Sequence, residues 1–285
     1  MFTTTTPVPL YWIAHGTAGA PPLLVVHGGP GAHHDYLLPQ MLELGTEHAL
    51  LFYDQRGGGQ SKGDGREPVT WRDHVADLAL VVRELGAEPL TLVGYSWGGL
   101  LAMLYAIEAA ADASMPRPAR LVLIDPAPVT RQLRRQFEEE FARRQQGEDI
   151  GRLRAALGAS GLRERDPAAY RQRAFELSVA GYFARPERAH DLTPFRVMGR
   201  VQESVWASLG DYDIVNALGT VRCPALVVHG REDPIPLASS EAAARALGAR
   251  LVVLEACGHV PYVEQPRGLF AAIGDFLAET RNPER

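Results

Sequence analysis

Cysteine is almost absent from this 285-residue chain, and lysine nearly so. The two cysteines, Cys223 and Cys257, give neither a metal-type spacing nor a disulfide framework. The expectation is a pair of buried, reduced thiols. Lys62 is the single lysine, and the arginines that supply the remaining basic charge are spread along the chain rather than gathered on one segment. With a formal charge of -5 the chain lacks the concentrated basic surface that a phosphate backbone requires, which excludes nucleic acid as a partner. No apolar run approaches the ~20 residues needed to span a bilayer, so no membrane partner is expected. Residues 1–6, Met-Phe-Thr-Thr-Thr-Thr, lack the basic segment and apolar core of an export signal. A cytoplasmic location is therefore expected.

What is present is an alternation. Short apolar, β-branched runs fall at 10–14, 23–26, 49–53, 90–93, 121–124, 225–229 and 251–254. Helix-like stretches separate several of them, at 71–85, 100–110, 239–247 and 267–279. That rhythm predicts an α/β class with a mostly parallel sheet flanked by helices. It breaks between 129 and 212, where no strand-like run occurs and arginine and glutamate interleave at helical spacing. Leu133, Phe137 and Phe141 fall four apart, on one face of a helix. The expected organisation is a core built from 1–128 and 213–285, carrying an inserted helical cap at 129–212.

Four parts of a reactive site follow one another along this frame. Gly94-Tyr95-Ser96-Trp97-Gly98 is a G-x-S-x-G nucleophile elbow, preceded by an apolar strand and followed by an alanine-rich helix. The flanking glycines let a strained strand-to-helix turn close around the serine. Serine is a weak nucleophile at neutral pH, so it needs a base, and the base needs an orienting acid. His259, in Cys257-Gly258-His259-Val260-Pro261, follows the last strand and is the candidate base. Asp233 follows the preceding strand and is the candidate acid, with Glu232 and Asp125 as rivals. An oxyanion requires preorganised backbone N–H donors. These are expected from Trp97, directly after the nucleophile, and from Gly29 in the loop His27-Gly28-Gly29-Pro30-Gly31. His33, His34 and Asp35 lack a third ligand at metal-binding spacing. Gly57, Gly58 and Gly59 are not followed by a P-loop lysine.

The loop at His27 to Gly31, then Asp54-Gln55-Arg56-Gly57-Gly58-Gly59-Gln60-Ser61, then Ser96-Trp97-Gly98-Gly99, resembles the proline iminopeptidase family of α/β-hydrolases. The stretch 32–38 is also similar to its tricorn-interacting aminopeptidase branch. The resemblance implies an α/β-hydrolase fold and a serine hydrolase that releases an N-terminal residue, often proline, from short peptides, without metal or organic cofactor. It also implies glutamates that hold the substrate's free amine. In the tricorn-interacting branch one directly follows the triad acid, and Pro234 stands there instead. The other aligns approximately with Glu203, which makes Glu203 the candidate amine anchor; its alternative is a solvated helix face opposite Met198, Val201, Val205 and Leu209. Many members have glycine where Tyr95 stands, which predicts less room beside the nucleophile. Glu138, Glu139 and Glu140 are expected to face solvent, beside the Phe137 and Phe141 face. A carboxylesterase or lactonase with the same triad, taking a small ester instead of a peptide, is the competing expectation.

Overall fold

A computed structural model describes residues 1–63, 65 and 67–280. Seven strands form one sheet: β1 (Trp12–Gly16), β2 (Pro22–Val26), β3 (Ala49–Tyr53), β4 (Thr91–Tyr95), β5 (Arg120–Ile124), β6 (Ala225–Gly230) and β7 (Arg250–Leu254). Their order is β1-β3-β2-β4-β5-β6-β7, and only β1 runs antiparallel to its neighbour. The run expected at 10–14 begins later, at Trp12. Leu10 is fully buried in the core outside the ladder, so its apolar character reports packing rather than pairing.

Strands β2 to β6 are buried nearly throughout, as parallel strands covered on both faces must be. On one side of the sheet α1 (Trp71–Glu84) presents Val75, Leu78, Val81 and Val82 to the core. Its start is set by Thr70 and Asp73, which cap each other's backbone N–H groups. Beside it lies α2 (Trp97–Ala111), an apolar helix buried along most of its length. The path from β3 to β4 crosses β2, so the chain reverses its direction of winding between β2 and β4. In open α/β sheets, ligands bind at such a switch point, outside the carboxyl ends of the strands. The Gly28-Gly29 loop and Ser96 follow those two strands.

Between β5 and β6 the chain is helical: α3 (Arg131–Gln145), α4 (Glu148–Ala159), α5 (Leu162–Arg165), α6 (Pro167–Val179), α7 (Gly199–Leu209) and α8 (Val215–Leu218). Thr130 caps α3, and Asp166 caps α6 with Pro167 at its first position. The ends of 131–212 meet in an antiparallel bridge between Thr130 and Asp213. Arg131 N–H donates to Tyr212 O at 2.8 Å, and Ile214 N–H to Val129 O at 3.1 Å. The sheet is completed by α9 (Leu237–Leu247), α10 (Pro261–Glu264) and α11 (Pro266–Glu279). Cys257 is buried and Cys223 partly so, and both are free thiols.

Gly98 carries the contact that seats α2 on the sheet. A Cβ there would lie 2.0 Å from Val26 O and 2.6 Å from His27 O, both backbone atoms of β2 and its following loop. Gly98→Ala is therefore expected to cost ~3 kcal/mol, at the upper end for overpacking, because no side chain can move aside. A urea midpoint unchanged from wild type would contradict this.

Candidate active site

The backbone at Ser96 is φ 54°, ψ -119°. A positive φ is costly for a residue with a Cβ and persists only where the surroundings enforce it. Here Ser96 N–H donates to Ile124 O at 2.9 Å, while Ser96 O accepts from Gly99 N and Ala127 N at 2.9 and 2.8 Å. The turn thus lifts Oγ clear of β4 and ties it to β5 on both sides.

Ser96 Oγ lies 2.9 Å from His259 Nε2, and His259 Nδ1 lies 2.8 Å from Asp233 Oδ2. Asp233 Oδ1 accepts Ile235 N–H at 2.7 Å, which fixes the carboxylate's second oxygen. The structure therefore brings together the three residues expected from the sequence. Of the rivals, Glu232 turns away and accepts Cys257 N–H at 2.9 Å. Asp125 lies fully buried beside Asp233 and His259 instead of taking Asp233's place.

Burial raises the Asp233 carboxyl to about 7, against hydrogen bonds that lower it, and lowers the His259 imidazole to about 4. Desolvation thus leaves His259 neutral at rest, with one ring nitrogen able to accept a proton. Its loop is held by His259 N–H to Tyr182 O at 2.7 Å, by Tyr95 Oη donating to His259 O at 2.9 Å, and by Gly258 N–H to Glu264 Oε2 at 2.7 Å. Tyr95 is buried against the His259 ring and does not line the cavity, so it supports His259 instead of narrowing the space beside Ser96.

Gly29 adopts φ 61°, and both Gly29 and Trp97 border the cavity at Ser96. Neither amide N–H has a hydrogen-bond acceptor among the described residues. Two unpaired donors beside a hydroxyl oxygen suit a developing oxyanion. Gln55, which the sequence reading did not single out, joins their two loops. Its side chain donates to His27 O at 2.7 Å and accepts Trp97 Nε1–H at 2.8 Å, and its N–H donates to His27 Nε2 at 3.1 Å. Only its place in the Asp54 to Ser61 motif signalled it.

The cavity holds about 750 Å³, within the range of small-molecule sites. Ser96 and His259 lie at its base, and Phe137, Phe141, Tyr182 and Trp206 supply apolar walls. Glu138 is exposed, as expected, and also borders the cavity. Arg134 pairs with Glu138 at 2.8 Å and stacks 3.8 Å over the Trp206 ring. Glu203 is exposed and lines the same cavity, with no ion-pair partner among the described residues. His34 is engaged by Asp54, Nδ1 to Oδ1 at 2.8 Å.

A sheet of this topology bearing a serine–histidine–carboxylate chain at its switch point is the architecture of an α/β-hydrolase. The chain belongs to the alpha/beta hydrolase family, whose model matches residues 23–273, and it is a hydrolase. It is similar to the proline iminopeptidase of Lactobacillus delbrueckii subsp. bulgaricus, 25% identical over 272 residues that cover 90% of this chain and 89% of the relative. Among solved structures, the proline iminopeptidase of Mycobacterium smegmatis superposes with a TM-score of 0.68 at 20% identity, covering 98% of both chains. A thermophilic esterase from Thermogutta terrifontis superposes with a TM-score of 0.64 at 27% identity, covering 98% of this chain and 97% of its own. No helix among the described residues is long and apolar enough to cross a membrane.

If this geometry is the reactive one, Asp233→Asn folds normally and loses ~10³ to 10⁴ in kcat for aryl esters, because the imidazole is held in the wrong tautomer. Glu232→Gln stays within about threefold, because its carboxylate points away from His259. Equal losses in the two variants would contradict the assignment.

Proposed function

We propose that the protein is a serine aminopeptidase of proline iminopeptidase type, releasing the N-terminal residue of short peptides through an acyl-enzyme. Ser96 is the nucleophile, His259 the base and Asp233 the orienting acid. As Oγ attacks the scissile carbonyl, His259 Nε2 takes its proton, and the carbonyl oxygen becomes an anion facing the N–H groups of Gly29 and Trp97. His259 then protonates the leaving amine, the Ser96 ester forms, and a water activated by the same imidazole hydrolyses it. Residues 129–212 act as a cap that closes the cavity over the nucleophile.

The observation that carries the peptidase reading is the distribution of charge in the cavity. Glu138 is already neutralised by Arg134, and by Arg131 at 3.4 Å. Glu203 is the carboxylate left to receive a substrate ammonium. Similarity to proline iminopeptidases over nine-tenths of the chain supports the same reading. The competing reading, a carboxylesterase or lactonase, draws on the aromatic walls and on the likeness to the thermophilic esterase.

A carboxylate–ammonium hydrogen bond in a partly desolvated site is worth ~1.5 to 3 kcal/mol, or roughly ten- to a hundredfold in kcat/KM. Proline and alanine arylamides with a free amine should be cleaved, and their N-acetyl forms should be poor substrates. Glu203→Gln should weaken cleavage of the free-amine arylamides by that factor and leave simple aryl esters nearly unchanged. Should N-acetylation make no difference, the peptidase reading fails and the esterase reading replaces it.

A further inference from the structure

We infer that Asp125 is a positioning residue for the triad acid, a neutral carboxylic acid whose O–H donates to the Asp233 carboxylate. The inference rests on the triad assignment above. Asp125 directly follows β5 and is 0% exposed, and Asp125, Asp233 and His259 each place a polar atom within 4.8 Å of the others. Its Oδ1 accepts Gly230 N–H at 2.8 Å. Its Oδ2 is enclosed and has no donor partner among the described residues. An orphaned carboxylate oxygen beside a second carboxylate is the arrangement that a shared proton satisfies, since two like charges at this range cannot both persist without water.

Among the described residues no arginine or lysine forms an ion pair with Asp125. His229 approaches Asp125 Oδ1 to 3.5 Å, but burial lowers its imidazole to about 4 and its Nδ1 is engaged by Ser240 Oγ at 2.9 Å. Cys257, Tyr95 and Tyr262 also face Asp125 and are neutral, their acidities weakened first by burial. Around Asp233, Arg144 favours its charge and Glu264 opposes it, and the neutral Tyr95, Tyr182 and Cys257 face it as well. Burial accordingly pushes the Asp125 carboxyl well above the usual range. The proton it keeps would do two things for Asp233: offset part of the desolvation that disfavours its charge, and fix the carboxylate that holds His259.

Asparagine is the isostere of this neutral acid, with its oxygen toward Gly230 N–H and its amide toward Asp233. The backbone at Asp125 is φ 40°, which asparagine and glycine tolerate better than other residues. The test is the pH dependence of fluorophosphonate labelling at Ser96, located by peptide mass spectrometry, in wild type, Asp125→Asn and Asp125→Gly. Asp125→Asn should label within about twofold of wild type, with its acidic limb in place, since an amide donor replaces the O–H. Asp125→Gly removes the donor, so Asp233 protonates more readily. Its acidic limb should move up by about one pH unit, with roughly tenfold slower labelling on that limb. A merely structural role would lower the melting temperature without moving the limb.

A limb in Asp125→Asn displaced downward by about a unit or more would mean that a negative charge had been removed, and would overturn the inference. So would an unmoved limb in a folded Asp125→Gly. If Asp125→Gly does not fold, Asp125→Asn alone decides. Wild type unlabelled at Ser96 would overturn the triad assignment and this inference with it, whereas labelled Ser96 with a displaced Asp125→Asn limb overturns this inference alone.

Discussion

The backbone turn at Ser96 is the constraint on which the other parts of the site depend. A serine with φ 54° cannot hold that conformation by its own preference, and two neighbouring strands hold it in place. Through Gly98 the first turn of α2 sits directly on the end of β2. Through Ile124 O and Ala127 N the turn is tied to the end of β5. The same contacts place the Gly29 loop, which leaves β2, beside the amide of Trp97. Ser96 and the candidate oxyanion donors are therefore set by one packing arrangement, and Gln55 locks it by hydrogen-bonding both loops.

Burial governs the other half of the site. His259, Asp233 and Asp125 all lie below one-tenth exposure, and Tyr182 packs on the His259 ring and its O accepts the His259 backbone N–H. In such surroundings each charge is costly and each hydrogen bond to a charge counts for more than it would in water. Glu264 shows how the enclosure is maintained. Its carboxylate receives Gly258 N–H at 2.7 Å and Ala184 N–H at 3.0 Å, binding the histidine's loop to the helical segment above it. The segment that shapes the cavity is thus attached to the loop that carries the imidazole.

Much of this could be read from the sequence because the chemistry sits at strand ends, and strand ends are marked locally. Ser96 is flanked by glycines that the turn requires, and His259 and Asp233 each follow an apolar run. The parts that escaped depend on where side chains from distant segments meet. Tyr95 could be seen to adjoin the nucleophile, but not that alternation on β4 sends it under His259. Gln55 lies in a glycine-rich loop whose sequence gives no hint of a bridge to Trp97. Glu138 is exposed, as its helical spacing suggests, but that spacing does not show that the same side chain borders the cavity. Asp125 and Asp233 each follow a strand, and the sequence could present them only as rivals, because their proximity arises from the parallel pairing of β5 with β6.

The proposed reaction passes through a covalent intermediate formed at one residue from a substrate with a free amine. Intact-mass measurement of the protein quenched within milliseconds of mixing with a proline or alanine aryl ester tests it most directly. The predicted result is a mass increase equal to the aminoacyl group, mapped by peptide fragmentation to Ser96 and formed faster than with the N-acetylated ester. An adduct on another residue, or turnover with no adduct under conditions that should accumulate it, would contradict the account.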